Sequence, residues 1–250
     1  PLSACGPQRP PPISAFEGRL SDWTRQILQD SPELASQAGV TEDAAGGRYL
    51  DRLDDRSALA SEARRTAAIR RYAELRALDP AALGEEDRFT YAVLRAQFEA
   101  AAEGAAFQYG DFTPLGGVRP YVLNQLDSAF LTLPSFLAER HPVRTAADAD
   151  AYLARLRGVG DAIDQETERA RTDATFGVRA PLFIIDQTIA LLDSVISTPP
   201  QAQPYYTDFR AKLEAIAAAE PDAARRQTIE QRNLTLLARA ESAIREEIIP

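Results

Sequence analysis

Apolar residues return every three or four positions through most of this chain, and strict polar–apolar alternation is nearly absent. The first such series is Ile13, Phe16, Leu20, Trp23 and Ile27, in steps of three, four, three and four. A spacing near 3.6 gathers side chains on one side of a helix, whereas a strand needs a period of two. Ala fills 45 of the 250 positions, and Ala is the best helix former and lets helices approach closely. The pattern predicts an all-α fold, an irregular multi-helix array without the repeat periods of a solenoid.

Punctuation divides the array. Ser31-Pro32 ends the first helix and starts a short second one, with Ser as N-cap and Pro at N1, that stops at Gly39. Residues 40–56 read as loop. Ser57 caps a long third helix through Ile69, Tyr72 and Leu75, ended by Asp79-Pro80. A fourth follows Gly84 with Tyr91, Leu94 and Phe98 on one side. Residues 104–120 differ in kind: Gly and Pro punctuate Phe107, Tyr109 and Phe112, which predicts an ordered aromatic loop or a short hairpin. Val122, Leu126, Phe130 and Leu133 predict another helix, and His141-Pro142 closes the connection after it. Thr145 with Asp148 three places on has the form of a capping box for a helix through Tyr152, Leu156, Val159 and Ile163. Pro181 opens the most apolar helix, Phe183 to Ile196, which is expected to be the most deeply buried. Two more helices carry Tyr205-Phe209-Leu213-Ile216 and Ile229-Leu236-Ala240-Ile244-Ile248.

Charge narrows the partners. With 28 Lys+Arg against 37 Asp+Glu the net charge is −9, which argues against nucleic acid. No run of about 18 apolar residues is present, so no spanning helix is expected. Cys5 is the one cysteine, which leaves no internal disulfide and no Cys-based zinc site. Leu2-Ser3-Ala4-Cys5-Gly6 resembles the lipobox that ends a bacterial lipoprotein signal peptide, where the Cys thiol is alkylated by diacylglycerol. Pro7-Gln8-Arg9-Pro10-Pro11-Pro12 follows as a polyproline tether. The competing reading is a chance match with an idle thiol. On the lipid reading, residues 1–12 are a lipobox remnant and tether, and 13–250 a helical lobe anchored in the cell envelope, facing periplasm or surface. Gly6 rather than Asp after the Cys points, by resemblance to Gram-negative lipoproteins, to the outer membrane. Met is absent even at position 1, and nothing closes the last helix before Pro250, so a longer protein is expected, its signal peptide lying before Pro1.

The chemistry within reach is limited. Zinc hydrolysis needs about three protein ligands, usually two of them His, and His141 is the sole His. His141 precedes Pro and lacks a nucleophile elbow, so it reads as a surface or capping residue rather than a catalytic base. Gly116-Gly117 lacks the Lys-Ser/Thr of a phosphate loop. Asp54-Asp55, Glu85-Glu86-Asp87 and Glu246-Glu247 read as solvated faces or first-turn charges. Asp164, Glu168 and Arg171 read as salt-bridge lacing on an exposed helix within the Asp161–Arg171 stretch. Tyr109, Asp111 and Arg119 could line a groove beside the aromatic loop; the alternative is a loop that packs its own rings on the helices. No catalytic residue, metal ligand or cofactor is assigned within these residues.

Several stretches taken in order carry a family likeness. They are Ser31-Pro32-Glu33-Leu34-Ala35 with Gly39, Leu75-Arg76-Ala77-Leu78-Asp79 with Leu83 and Asp87, and Tyr152-Leu153-Ala154-Arg155-Leu156. Ile163-Asp164-Gln165 and Phe176-Gly177-Val178-Arg179-Ala180-Pro181 continue the series. Together they resemble the N-terminal half of the bacterial domain-of-unknown-function family 885, in which lipoproteins are frequent. The resemblance implies a helical relative of zinc peptidases, with a His-Glu metal motif and further ligands in a C-terminal half outside this chain. It therefore implies the N-terminal lobe of a lipid-anchored, metallopeptidase-like hydrolase acting on peptides. Its partners would be the other half, a peptide substrate and, through the anchor, the membrane; zinc would sit in the other half. The alternative is a non-catalytic helical envelope lipoprotein that binds a partner or scaffolds.

Overall fold

A computed structural model describes residues 14–249. The lipobox, Cys5, the proline tether and Ile13 lie outside the described residues. Among those described are nine α-helices and one two-stranded antiparallel hairpin, an all-α multi-helix array. No described helix is long and apolar enough to cross a membrane.

Local chemistry sets the helix starts. α1 (Ala15–Asp30) opens with a capping box: Ser14 Oγ accepts from Glu17 N at 3.1 Å and Glu17 Oε2 from Ser14 N at 2.7 Å. Ser31 caps α2 (Pro32–Ala38), which ends on Gly39 at φ 63°, a left-handed conformation that glycine adopts without penalty. α3 (Ala58–Arg76) is capped by Ser57, and α4 (Glu85–Gly104) carries Glu85, Glu86 and Asp87 at its positive end. α1, α3 and α4 share a small core of Phe16, Trp23, Leu75 and Tyr91, with Phe98 edge-on to Trp23 at 5.3 Å. The inner face of α3 departs from expectation. Ile69 points outward, while Arg64, Arg65 and Arg71 are buried. Arg64 and Arg65 are tolerated there because they donate to the backbone carbonyls of Phe112 and Tyr109, both at 3.2 Å.

The aromatic segment is the short hairpin, β1 (Asp111–Phe112) against β2 (Val118–Arg119), with Asp111 opposite Arg119. The next helix starts later than its spacing predicts. α5 spans Ala129–Arg140, and Leu126 is exposed. Asn124 is the physical reason: its Oδ1 accepts from Leu126 N (2.8 Å) and Asp127 N (2.9 Å), a turn that competes with helix.

α6 (Ala146–Thr175) is the longest helix and the spine of the molecule, and its Thr145–Asp148 capping box forms as expected. Leu133, Leu137, Tyr152, Leu156, Val159, Phe209 and Leu213 pack around it in the main core, with Tyr152 stacked on Phe209 at 4.4 Å. α8 (Pro204–Ala219) and α9 (Ala223–Ala243) complete this core, and a π-helical turn (Ile244–Ile248) follows. That turn crosses α6 so closely that a Cβ on Gly160 would collide with the Glu247 carbonyl. Gly160→Ala is expected to cost about 2 kcal/mol, roughly 4–8 °C in thermal melts. Gly158→Ala meets only Leu53 Cδ1, at 3.6 Å, and should be neutral or slightly stabilising through helix propensity.

α7 (Leu182–Ser197) reverses the expectation of deepest burial. Among its residues only Thr188 is buried, while Leu182 is 72%, Phe183 61% and Ile189 51% exposed. The helix stands off the 120–123 segment and leaves an apolar cavity of about 350 Å³ between them. Apolarity records that a helix needs cover; it does not say that these residues supply it.

Candidate functional site

A polar cavity of about 570 Å³ opens between α2, the 54–56 segment, the hairpin, α5 and α6. Its floor is an ion network that periodicity places there. On α6, Val159 and Ala162 belong to the buried face, and steps of four, three and four lead from Ala162 to Glu166, Arg169 and Asp173, all buried. The Asp161–Arg171 stretch is thus exposed on one side only: Glu168 and Arg171 pair in solvent at 3.5 Å, as expected, while Glu166 and Arg169 face inward.

Arg56 is the hub. Its Nη1 and Nη2 grip Glu33 at 2.7 and 2.9 Å, and its Nε donates to Glu166 Oε1 at 3.2 Å. Glu33 and Asp54 also clasp each other's backbone, with Glu33 N donating to Asp54 Oδ1 and Asp54 N to Glu33 Oε1, both at 2.9 Å. Ser31 Oγ donates to the other Asp54 oxygen at 2.7 Å. Asp54-Asp55 is therefore only half solvated, since Asp54 is held inside by this clasp. Glu166 Oε2 accepts from Ala129 N, the first residue of α5, at 2.8 Å. Arg169 donates to Asp111 Oδ1 (3.1 Å) and Gly110 O (2.7 Å), and Asp173 accepts from Gly110 N at 2.8 Å. The network fastens α2, the hairpin and α5 to the spine.

Burial sets the protonation of this floor. It pushes the Glu166 carboxyl up to about 7, against the opposing pull of Arg56 and the Ala129 N–H. It raises Asp54 too, with the Glu33 charge adding to the effect. On Arg56, burial favours loss of the proton, but Glu33 and Glu166 more than offset it, so the guanidinium stays charged.

Two of the three residues expected to line a groove come together. Asp111 and Arg119 face each other across the hairpin at 3.4 Å and both border the cavity, and Arg119 also meets Asp127 at 3.4 Å. Tyr109 does not border it: its ring packs edge-on against Phe107 at 5.8 Å and its carbonyl accepts from Arg65. The rim carries Glu139 and Arg140 in solvent. Charges of both signs around an open cavity can hold a polar ligand that carries both, such as an extended peptide. Each Glu166 oxygen accepts one hydrogen bond, from Arg56 Nε and from Ala129 N, which fixes the carboxyl in place.

His141 is the C-cap residue of α5, but it is not at the surface, being only 2% exposed. Arg155 Nη1 lies 3.0 Å from its Nδ1, and Asp148 O lies 3.0 Å from its Nε2. Arginine can only donate, so Nδ1 accepts and the proton sits on Nε2. Burial, reinforced by Arg155 and Lys212, drives its pKa down to about 4. A neutral imidazole with both nitrogens engaged is a packing element. Among the described residues no group of three or more His, Cys, Asp or Glu side chains is placed to hold a metal ion.

The fold is an irregular all-α array fastened by buried ion pairs, with an open polar cavity bordered by charges of both signs. The chain belongs to the bacterial protein family of unknown function DUF885, which it matches over residues 32–250. Its fold is similar to that in the crystal structure of a candidate lipoprotein from Colwellia psychrerythraea, with a TM-score of 0.80 at 15% identity. The likeness covers 95% of this chain and 40% of that one, so the chain spans about two fifths of that protein's length. No curated protein matches the chain.

Proposed function

We propose that this chain is the N-terminal lobe of a lipid-anchored, metallopeptidase-like hydrolase that acts on peptides. The observation that carries the reading is the open apolar face of α7, in a fold spanning 40% of the Colwellia protein. Such a face requires cover, and the remainder of a longer protein is its natural source. The polar cavity would then be one wall of a peptide cleft, with Arg119 and Asp127 offering opposite charges at its mouth. The described residues do not fit zinc, since the one His has both nitrogens engaged, so metal ligands would come from the remainder. Cys5 would carry the lipid and place the protein in the envelope, in keeping with the description of the Colwellia protein as a candidate lipoprotein.

The test is the full-length protein, assayed for bound zinc and for cleavage of a peptide library. Stoichiometric zinc and chelator-sensitive cleavage are expected. Full-length protein with neither would leave the non-catalytic envelope lipoprotein as the reading. Cys5→Ser, with the leader in place, should release the protein from membranes, and unchanged retention sinks the anchor. In the 250-residue chain alone, Leu182→Ser with Phe183→Ser should cut dye binding and self-association severalfold. The melt should stay within about 0.5 kcal/mol per site, as for exposed positions.

A further inference from the structure

Arg71 is less well partnered than its neighbours Arg64 and Arg65, which both donate to backbone carbonyls. It is only 7% exposed, yet its Nε is buried without a hydrogen-bond partner. Its nearest opposite charge among the described residues is Asp30, 4.0 Å from Nη2 and 54% exposed. A guanidinium has five donors, and burying it unpaired costs several kcal/mol. Such a group calls for an explanation.

Arg71 borders a third cavity, about 290 Å³, between α1, α3 and α4, with the hairpin turn over its top. The rest of its wall is mainly apolar, from Leu20, Trp23, Ile27, Leu94, Phe98 and Leu115. We propose that this cavity binds a small apolar carboxylate, with the acid group on the Arg71 guanidinium and the hydrocarbon tail against Trp23 and Phe98. The planar fork of arginine matches the two oxygens of a carboxylate. A phosphate would need further cations or backbone donors, and the cavity lining contains no second basic residue. The volume is that of about ten waters at about 30 Å³ each, which suits a ligand of about ten non-hydrogen atoms. A medium-chain fatty acid and the carboxyl end of an apolar amino acid or peptide share this chemistry. The site shares only Pro114 and Leu115 with the lining of the polar cavity and does not depend on the hydrolase reading.

Trp23 is the chain's one tryptophan, so its fluorescence reports on this cavity directly. The 250-residue chain is titrated with octanoate, N-acetylleucine and, as the uncharged control, octanol. A saturable change with at least one acid is expected, with octanol at least tenfold weaker. The tighter acid identifies the source, and equal affinity leaves the shared chemistry standing. Arg71→Met should abolish the preference for acid over alcohol while the melting temperature holds or rises, because an apolar side chain replaces an underpaired buried charge. Arg71→Lys, which keeps the charge but not the fork, should weaken the acid severalfold. The proposal is overturned by no saturable change with either acid, by octanol binding as tightly, or by Arg71→Met binding acids unchanged. The comparison of acid with alcohol needs no variant, so it decides the matter even if a substitution fails to fold.

Discussion

Arg155→Ala should abolish the native fold or lower its melting temperature by about 8–16 °C, the equivalent of about 4 kcal/mol for a chain of this size. Arg155 rises from α6 and is fully buried. Its Nε donates to Arg52 O at 2.8 Å, and its Nη2 to Ser36 Oγ at 2.6 Å and Tyr49 O at 3.1 Å. Nη1 holds His141, and the guanidinium lies 5.0 Å over the Phe136 ring. Burial lowers its pKa to about 10, so it remains charged at neutral pH. Truncation would leave buried acceptors unpaired at about 1–3 kcal/mol each, beside a cavity that relaxation only partly closes. Arg155→Met fills most of that space, so its own loss against wild type in thermal melts reports the lost hydrogen bonds, and the difference between the two variants reports the cavity. A loss under about 1 kcal/mol for Arg155→Ala would show that residues 32–52 are held by something else.

Arg56→Met should show the second-largest effect, and one that depends on pH. Removing the hub strands two buried carboxylates, a type of change that costs about 3–5 kcal/mol. Glu166 already sits at about 7, above its unfolded value near 4.5, so the folded state binds more protons than the unfolded one between those values. Stability from this group is therefore fullest below about pH 4.5 and falls as pH rises through 7. Without Arg56 the Glu166 carboxyl moves higher still and the fall steepens. Urea midpoints should give a loss of about 1 kcal/mol at pH 5 and about 4 kcal/mol at pH 8. Equal losses at both pH values would contradict a charge origin. His141 acts in the opposite direction: its folded pKa of about 4 lies below the unfolded value near 6.5, so its contribution rises with pH across that window. The Arg56→Met comparison between pH 5 and pH 8 is made against wild type, so the His141 contribution largely cancels.

How far the site was legible follows from what periodicity measures. Asp111 and Arg119 stood out beside a punctuated loop, and they do face each other at the cavity. Glu166 and Arg169 were legible in principle, because the steps through Val159 and Ala162 land on them. Their charge made a solvated face the natural reading, and only their partners Arg56, Asp111 and the Gly110 carbonyl make burial tolerable. Those partners lie 58 to 110 residues away along the chain, beyond any local pattern. His141 does cap a helix, as read, but it is buried rather than at the surface, because Arg155 and the Asp148 carbonyl from α6 take both ring nitrogens.

Short-range physics controls the helical period, the Ser and Thr caps, the Gly39 stop, the break at Pro80 and the hairpin near 110, and all of these can be read from the chain. Each depends on residues within a few positions of one another, where spacing and backbone chemistry decide the outcome. Which faces are covered is settled by long-range packing. Packing turned α7 outward, drew three arginines of α3 inside and set one of them, Arg71, at the border of a mainly apolar cavity. Burial is a relation between distant segments, and hydropathy along one segment states a demand for cover without naming what meets it.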